Sequence, residues 1–309
     1  TIEVKEKNYT YLKLGARYHE EFHPEAFLKV GYANLGSSGN DLSLFGRFSE
    51  RRKHYQLQLR ADRIFRTMVT YNLSFYYRND KIGLFAENEL IGHRTDKRWG
   101  LKLAIGQQLA RFGLVDVTAR YEQIRYSVSG EKTRTDRRVA SLSFNLRYDT
   151  KDRFTFPTGG RAAHLSFEIA SDVLGGEDVF QKFEGFVENY LNLSTFLNLH
   201  LRGSIGLSAE GLPLYDRFYL GGSRDFIGYR VDQLSGDKYL LANIDLRLGP
   251  WHSFYLSARY DMGEVFDRFE QLRFQHFRHT VGAQLALNTP LGPIAVAYGR
   301  AEGKFDNVY

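Results

Sequence analysis

The side chains with the most chemical promise lie in the last third of the chain. Asp261, in Tyr260-Asp261-Met262-Gly263, stands two residues after Arg259, and a strand would put both on one polar face. A carboxylate in a poorly hydrated wall needs a cation, since an unpaired one costs several kcal/mol. Arg247, Arg259 and water are the partners at hand. Upstream, the run from Phe218 to Arg230 holds Gly221, Gly222 and Gly228, which permit positive φ and close backbone approach. Among them stand Phe226 and Tyr229, which can pack on a wall, and the cations Arg224 and Arg230. These residues suit a tightly folded loop better than bond-making chemistry. Gly36-Ser37-Ser38-Gly39 and Gly221-Gly222-Ser223 both miss the Gly-x-Ser-x-Gly spacing of a nucleophile elbow, and neither a P-loop nor a dinucleotide-binding glycine pattern occurs. His276 and His279 lack a carboxylate cluster, so no metal site is expected, and with no Cys there is neither disulfide nor thiolate ligand. No catalytic residue and no cofactor is expected in this chain.

The elements that would position these residues are strands. From Asn198 to Ser208, Leu199, Leu201, Ile205 and Leu207 share one face while His200, Arg202 and Ser204 take the other. The same period of two runs through Lys238–Leu248, Ser253–Asp261 and Val281–Leu287, and earlier through Tyr55–Asp62. Strands are expected at roughly 9–19, 25–33, 41–49, 54–62, 67–78, 98–108, 113–126, 138–148, 160–171, 180–192, 195–208, 238–248, 252–263, 278–288 and 293–301, with a last one starting near Asp306 and cut short. Every second connection is short; the others include the long excursions 79–97, 127–137, 209–237 and 264–277. Counting Ile82–Leu90 as a separate strand breaks this parity, so it is read as structured loop.

Strands near ten residues long, one apolar and one charged face, and short turns alternating with long loops are the pattern of a transmembrane antiparallel β-barrel. The class expected is all-β, with 16 strands. Aromatic residues at 15% fit the belts where such a wall meets lipid headgroups, and no apolar run is long enough for a membrane-crossing helix. The net charge of +6 is spread along the chain, which speaks against nucleic acid. Arg51-Arg52-Lys53, and Arg134 with Arg137 and Arg138, fall in or beside the long connections, where they could meet lipopolysaccharide phosphates or stand as solvated clusters.

Phe218-Tyr219-Leu220-Gly221-Gly222-Ser223-Arg224-Asp225-Phe226-Ile227-Gly228-Tyr229-Arg230 resembles the inward-folding extracellular loop of the Omp85 superfamily of outer-membrane barrels. Tyr260-Asp261-Met262-Gly263, the turn Thr289-Pro290-Leu291-Gly292-Pro293, and Tyr148-Asp149 leading to Phe156-Pro157-Thr158-Gly159-Gly160 resemble further segments of that family, in its order. The resemblance implies a bacterial outer-membrane barrel spanning 9–309 whose loop folds into the lumen and is held by Asp261. The family's loop-tip Arg falls at Ile227 here, so Arg224 or Arg230 would have to supply the cation. Residues 1–8 resemble the last strand of a POTRA module, which implies a periplasmic part upstream. The divergent tip leans towards type V secretion, most like the barrel of a patatin-like secreted phospholipase whose chemistry lies in its passenger. A two-partner secretion transporter or an assembly barrel is the alternative, and a diffusion porin the alternative of another class. The partners implied are outer-membrane lipid, lipopolysaccharide and a covalently linked or separate passenger polypeptide; a homodimer is left open.

Overall fold

Alternation carries the fold, because a one-residue slip would turn every apolar side chain to the wrong face. The computed structural model describes residues 9–308 apart from Glu20, Ser37, 65–66, 87–88, 131–133, Glu210, His252, 290–291 and 302–304. Residues 1–8, where the end of an upstream module was expected, Tyr309, and Pro290 and Leu291 of the proline turn lie outside the described residues.

The wall begins with β1 (Thr10–His19), β2 (His23–Leu35), β3 (Asn40–Phe48), β4 (Arg52–Ala61), β5 (Val69–Ala86) and β6 (Glu89–Leu109). It continues with β7 (Gly113–Val128), β8 (Arg134–Asp149), β9 (Gly160–Ala170), β10 (Phe180–Ser194) and β11 (Leu197–Ser208). A loop carrying two short strands, β12 (Phe218–Leu220) and β13 (Leu234–Gly236), interrupts it. Then come β14 (Lys238–Trp251), β15 (Phe254–Phe266), β16 (Arg278–Thr289), β17 (Gly292–Ala301) and β18 (Phe305–Val308). Sixteen wall strands pair antiparallel with their sequence neighbours in one sheet, and β12 and β13 form a separate two-stranded ladder.

The sheet is curled into a barrel. The β12–β13 loop touches Glu21 in the β1–β2 turn and Asn307 on β18, at opposite ends of the strand order, so the wall bends round to enclose it. Its outer face is apolar and bare: Leu14 is 70% exposed, Phe144 61% and Leu285 52%, with Leu256 and Tyr260 exposed beside them. An apolar belt on a wall this long is stable only in lipid. The inner face holds Arg94, Asp96, Glu122 and Asp261, all buried.

Two expectations are corrected. The stretch from Ile82 to Leu90 is not structured loop. β5 runs on to Ala86 and β6 starts at Glu89, with Lys81 opposite Thr95 and Leu84 opposite Gly92. The hairpin simply outgrows the wall, lengthening two strands without adding one, so parity survives. The same holds at 127–137, where Ser127 still pairs with Arg134.

Candidate functional site: a loop docked inside the barrel

The loop between β11 and β14 turns inward because its apolar residues find no other cover. Leu212, Tyr215, Phe218, Leu220, Phe226 and Tyr229 are buried against Ile124, Val139, Phe180 and Tyr239 of the inner wall. Its tip is a tight turn: the Gly222 amide donates to the Tyr229 carbonyl at 2.8 Å, and the Phe226 and Tyr229 rings lie 5.1 Å apart. Gly221 and Gly222 are buried at its base.

Asp261 is fully buried on β15 and accepts three hydrogen bonds. The Ile227 backbone amide donates to Oδ2 at 2.8 Å, while Asn243 Nδ2 at 2.8 Å and Arg259 Nε at 2.7 Å donate to Oδ1. Arg259 reaches on to the loop, donating to the carbonyls of Ser223 at 2.6 Å, Arg224 at 3.0 Å and Asp225 at 2.8 Å. Asp261 and Arg259 thus act as one bracket, with the carboxylate taking the loop's amide and the guanidinium its carbonyls. Gly263 lies further along β15, where a Cβ would come within 2.9 Å of Leu241.

Neither arginine of the loop reaches Asp261. Arg224 is exposed, and Arg230 turns to Glu21, donating from Nη2 at 2.7 Å and from Nε at 3.2 Å. The cation beside Asp261 comes instead from the wall. What replaces the family's loop-tip arginine is an apolar socket. Gly282 on β16 and Gly299 on β17 face each other in register, and Ile227 lies on them. A Cβ on Gly282 would stand 2.4 Å from Ile227 Cδ1, and one on Gly299 would stand 2.5 Å from the Gly228 nitrogen. Gly228 itself has φ +92° and no room for a side chain beside Arg300 and Ala301, while its carbonyl accepts from Asn307 Nδ2 at 2.6 Å.

A second anchorage was not foreseen. Loop residue Asp216 enters a network of Arg98, Arg120, Glu122 and Glu168, with Arg120 Nη2 at 3.2 Å and Arg98 Nη1 at 3.5 Å. Burial alone would raise the Asp216 carboxyl, but Arg120, then Arg98 and Lys182, hold it well below the usual carboxylate range. Arg94 grips Asp96 with both arms, at 2.7 and 2.9 Å, and donates to the Leu214 carbonyl and the Tyr219 hydroxyl. The signal lay in Arg94-x-Asp96-x-Arg98 and Arg120-x-Glu122, where charges of opposite sign alternate two residues apart on one face. One basic run is also partly spent inside, where Arg51 pairs with Glu21 at 2.6 Å and Arg52 with Asp80 at 3.3 Å, while Arg138 pairs with Glu177 at 2.9 Å on the exposed surface.

One loop carboxyl makes docking sensitive to pH. Burial, the largest influence, pushes Asp232 up to about 6; Arg52 opposes this, and Asp80 and Asp225 add to it. The docked loop therefore holds a proton that the free loop, near 3.8, gives up. Docking is firmest below the lower value and weakens as pH rises through about 6. Amide exchange in 228–234, corrected for intrinsic rates, is expected to quicken between pH 5 and pH 7 in the natural chain. Asp232→Asn is expected to abolish that change; an unaltered pH response in it would assign the effect elsewhere.

Towards the short-turn rim the interior opens into a cavity of about 800 Å³, lined by Gln56, Arg60, Lys102, Arg120, Asn145 and Glu168 among others. Among the described residues no cluster of three or more His, Asp or Glu has the geometry to hold a metal ion.

Residues 34–308 match the Omp85 superfamily domain. The chain is 27% identical over 330 aligned residues to the outer membrane protein assembly factor BamA of Neorickettsia risticii, covering 90% of this chain and 44% of that protein. It is 24% identical to the protein of the same name from Nitratidesulfovibrio vulgaris, covering 96% of this chain and 40% of that one. The chain thus spans less than half the length of these curated relatives. Among solved structures, BamA from Haemophilus ducreyi lacking POTRA domains 1–3 superposes with a TM-score of 0.84 at 15% identity, over 99% of this chain and 69% of that one. CdiB from Acinetobacter baumannii gives 0.68 at 12% identity, over 97% of this chain and 57% of that one. With the sixteen-stranded wall and the inward loop, the match over 34–308 makes this chain an outer-membrane β-barrel of the Omp85 superfamily.

Proposed function

We propose that this barrel passes or inserts a separate polypeptide at the outer membrane, and that the inward loop must shift for it to do so. One observation carries the reading: the loop is bonded to the wall on several sides at once, through Asp261, the Gly282–Gly299 socket, Asp216 and Glu21. A pore for small solutes has no use for a plug fixed this widely. The relatives named as assembly factors favour a separate polypeptide over the covalently linked, patatin-like passenger to which the divergent tip leans. In this reading the chemistry is non-covalent throughout, and any hydrolase would reside in another part of the protein or in the cargo.

These 309 residues hold no cysteine, so within the barrel the introduced pair has no competing thiol. Ile227→Cys with Gly282→Cys places two thiols where side chain and glycine now touch, and oxidation would fasten the tip to β16. In the full-length protein reconstituted in liposomes, delivery of an unfolded outer-membrane polypeptide of the same bacterium should stop on oxidation and return on reduction. Delivery at the same rate with the tip fastened would refute the proposal.

A further inference from the structure

The loop leans to one side. Its anchors lie on β6 and β7, on β10 and β11, on β14 to β18, at the β1–β2 turn and at Phe85 near the end of β5, which leaves most of the inner face of β1 to β4 uncovered by the loop contacts described. That face is basic. Gly15, Phe27, Arg47, His54 and Arg78 sit directly opposite one another on successive strands, so two guanidinium groups flank an imidazole at one level of the wall.

The carboxylates nearby do not cancel this charge. Glu25 is shared by Arg17 at 2.6 Å and Arg47 at 3.7 Å, and Asp80 by Arg78 at 3.0 Å and Arg52 at 3.3 Å. Each trio therefore keeps a net positive charge, which the loop carboxyl Asp232 offsets in part beside Arg52. The two carboxylates are buried, whereas the Arg17, Arg47 and Arg78 side chains are 50%, 32% and 43% exposed, with their charge towards the lumen. Lys13 and Lys29 extend the surface, and the Phe27 and Phe45 rings, 6.5 Å apart, lie between the cations.

We propose that the inner face of β1 to β5 binds an acidic segment of polypeptide. Guanidinium forks take carboxylates in pairs, and aromatic rings interleaved with cations suit the mixed side chains of a peptide. A phosphate-bearing lipid fits poorly, because the polar interior offers its acyl chains no apolar slot. The inference deepens the polypeptide-handling reading and rests on it for the source of the peptide; the binding surface itself does not.

The test is single-channel conductance of the full-length protein in planar bilayers. A short poly-glutamate peptide is expected to block the current, and a neutral Gly-Ser peptide of equal length is not. Arg47→Gln with Arg78→Gln should weaken the block about tenfold or more, while Glu25 keeps Arg17 and Asp80 keeps Arg52, so the fold retains its pairs. Arg47→Lys with Arg78→Lys, which keeps the charge, should retain most of the block. No block by the acidic peptide, equal block in the Gln variant, or block by inorganic polyphosphate in its place would overturn the inference. Failure here with polypeptide delivery intact would leave the translocation reading standing. Block as expected in a barrel that delivers nothing would overturn that reading alone.

Discussion

Asp261→Ala is expected to free the loop tip while leaving the wall intact. The substitution removes three hydrogen bonds at once and leaves the Arg259 guanidinium and the Asn243 amide without their carboxylate. Stripping one partner from a buried charge pair costs about 3–5 kcal/mol, which corresponds to loop opening roughly a hundred-fold to a few thousand-fold more often. The Ile227 amide reports this directly, since its hydrogen bond ends on the missing side chain. Its exchange should accelerate by that factor while amides in β3 and β4 keep their rates. Asp261→Asn, which keeps an acceptor but loses the charge, should fall between. Ile227 exchange unchanged in the alanine variant would mean that the socket, and not the carboxylate, holds the tip.

The glycine pair under Ile227 gives the second large effect, and an order of severity. Gly299→Ala drives a Cβ against the Gly228 backbone nitrogen, at 2.5 Å, and backbone cannot rotate away. Gly282→Ala meets chiefly the far end of the Ile227 side chain, at 2.4 Å, which can change rotamer, although the Tyr298 carbonyl at 2.9 Å limits the relief. Overpacking of this kind costs roughly 1–3 kcal/mol, so Gly299→Ala should sit at the upper end and Gly282→Ala lower. Adding Ile227→Ala should rescue the Gly282 variant, whose clash is with that side chain, and should do much less for the Gly299 variant. Loop protection measured by hydrogen exchange across the four variants checks the order. Equal rescue of both would show that the contact with Gly228 is not the limiting one.

How much of this was legible follows from what one sequence encodes locally. Period-two patterning located the sixteen wall strands and their faces, because side-chain direction along a strand depends only on parity. It stopped short at β5 and β6, where the pattern persists past the membrane and nothing local marks the lipid's edge. The short ladder of Phe218–Leu220 with Leu234–Gly236 was invisible, since three residues show no period and their pairing spans the loop tip. At the site, Asp261 and the glycine-rich tip were named as candidates, but the pairing expected of Arg224 or Arg230 did not appear. Which cation reaches which carboxylate depends on the third dimension: Arg230 lies beside Glu21, far away in sequence, and Arg259 lies two residues from Asp261. The isoleucine at the tip read as a missing charge until its glycine floor, contributed by two later strands, came into view.

The loop holds Glu21 with Arg230 at one margin of the sheet and takes a bond from Asn307 at the other, so it works as a tie-rod between the two ends. Tension in a tie-rod is felt equally at both anchors. If competition for Glu21 loosens the hold on Asn307, then a strand that captures β18 slackens Arg230 by the same free energy. The loop thereby offers the first and last strands of this wall a route of thermodynamic linkage that needs no direct contact between them.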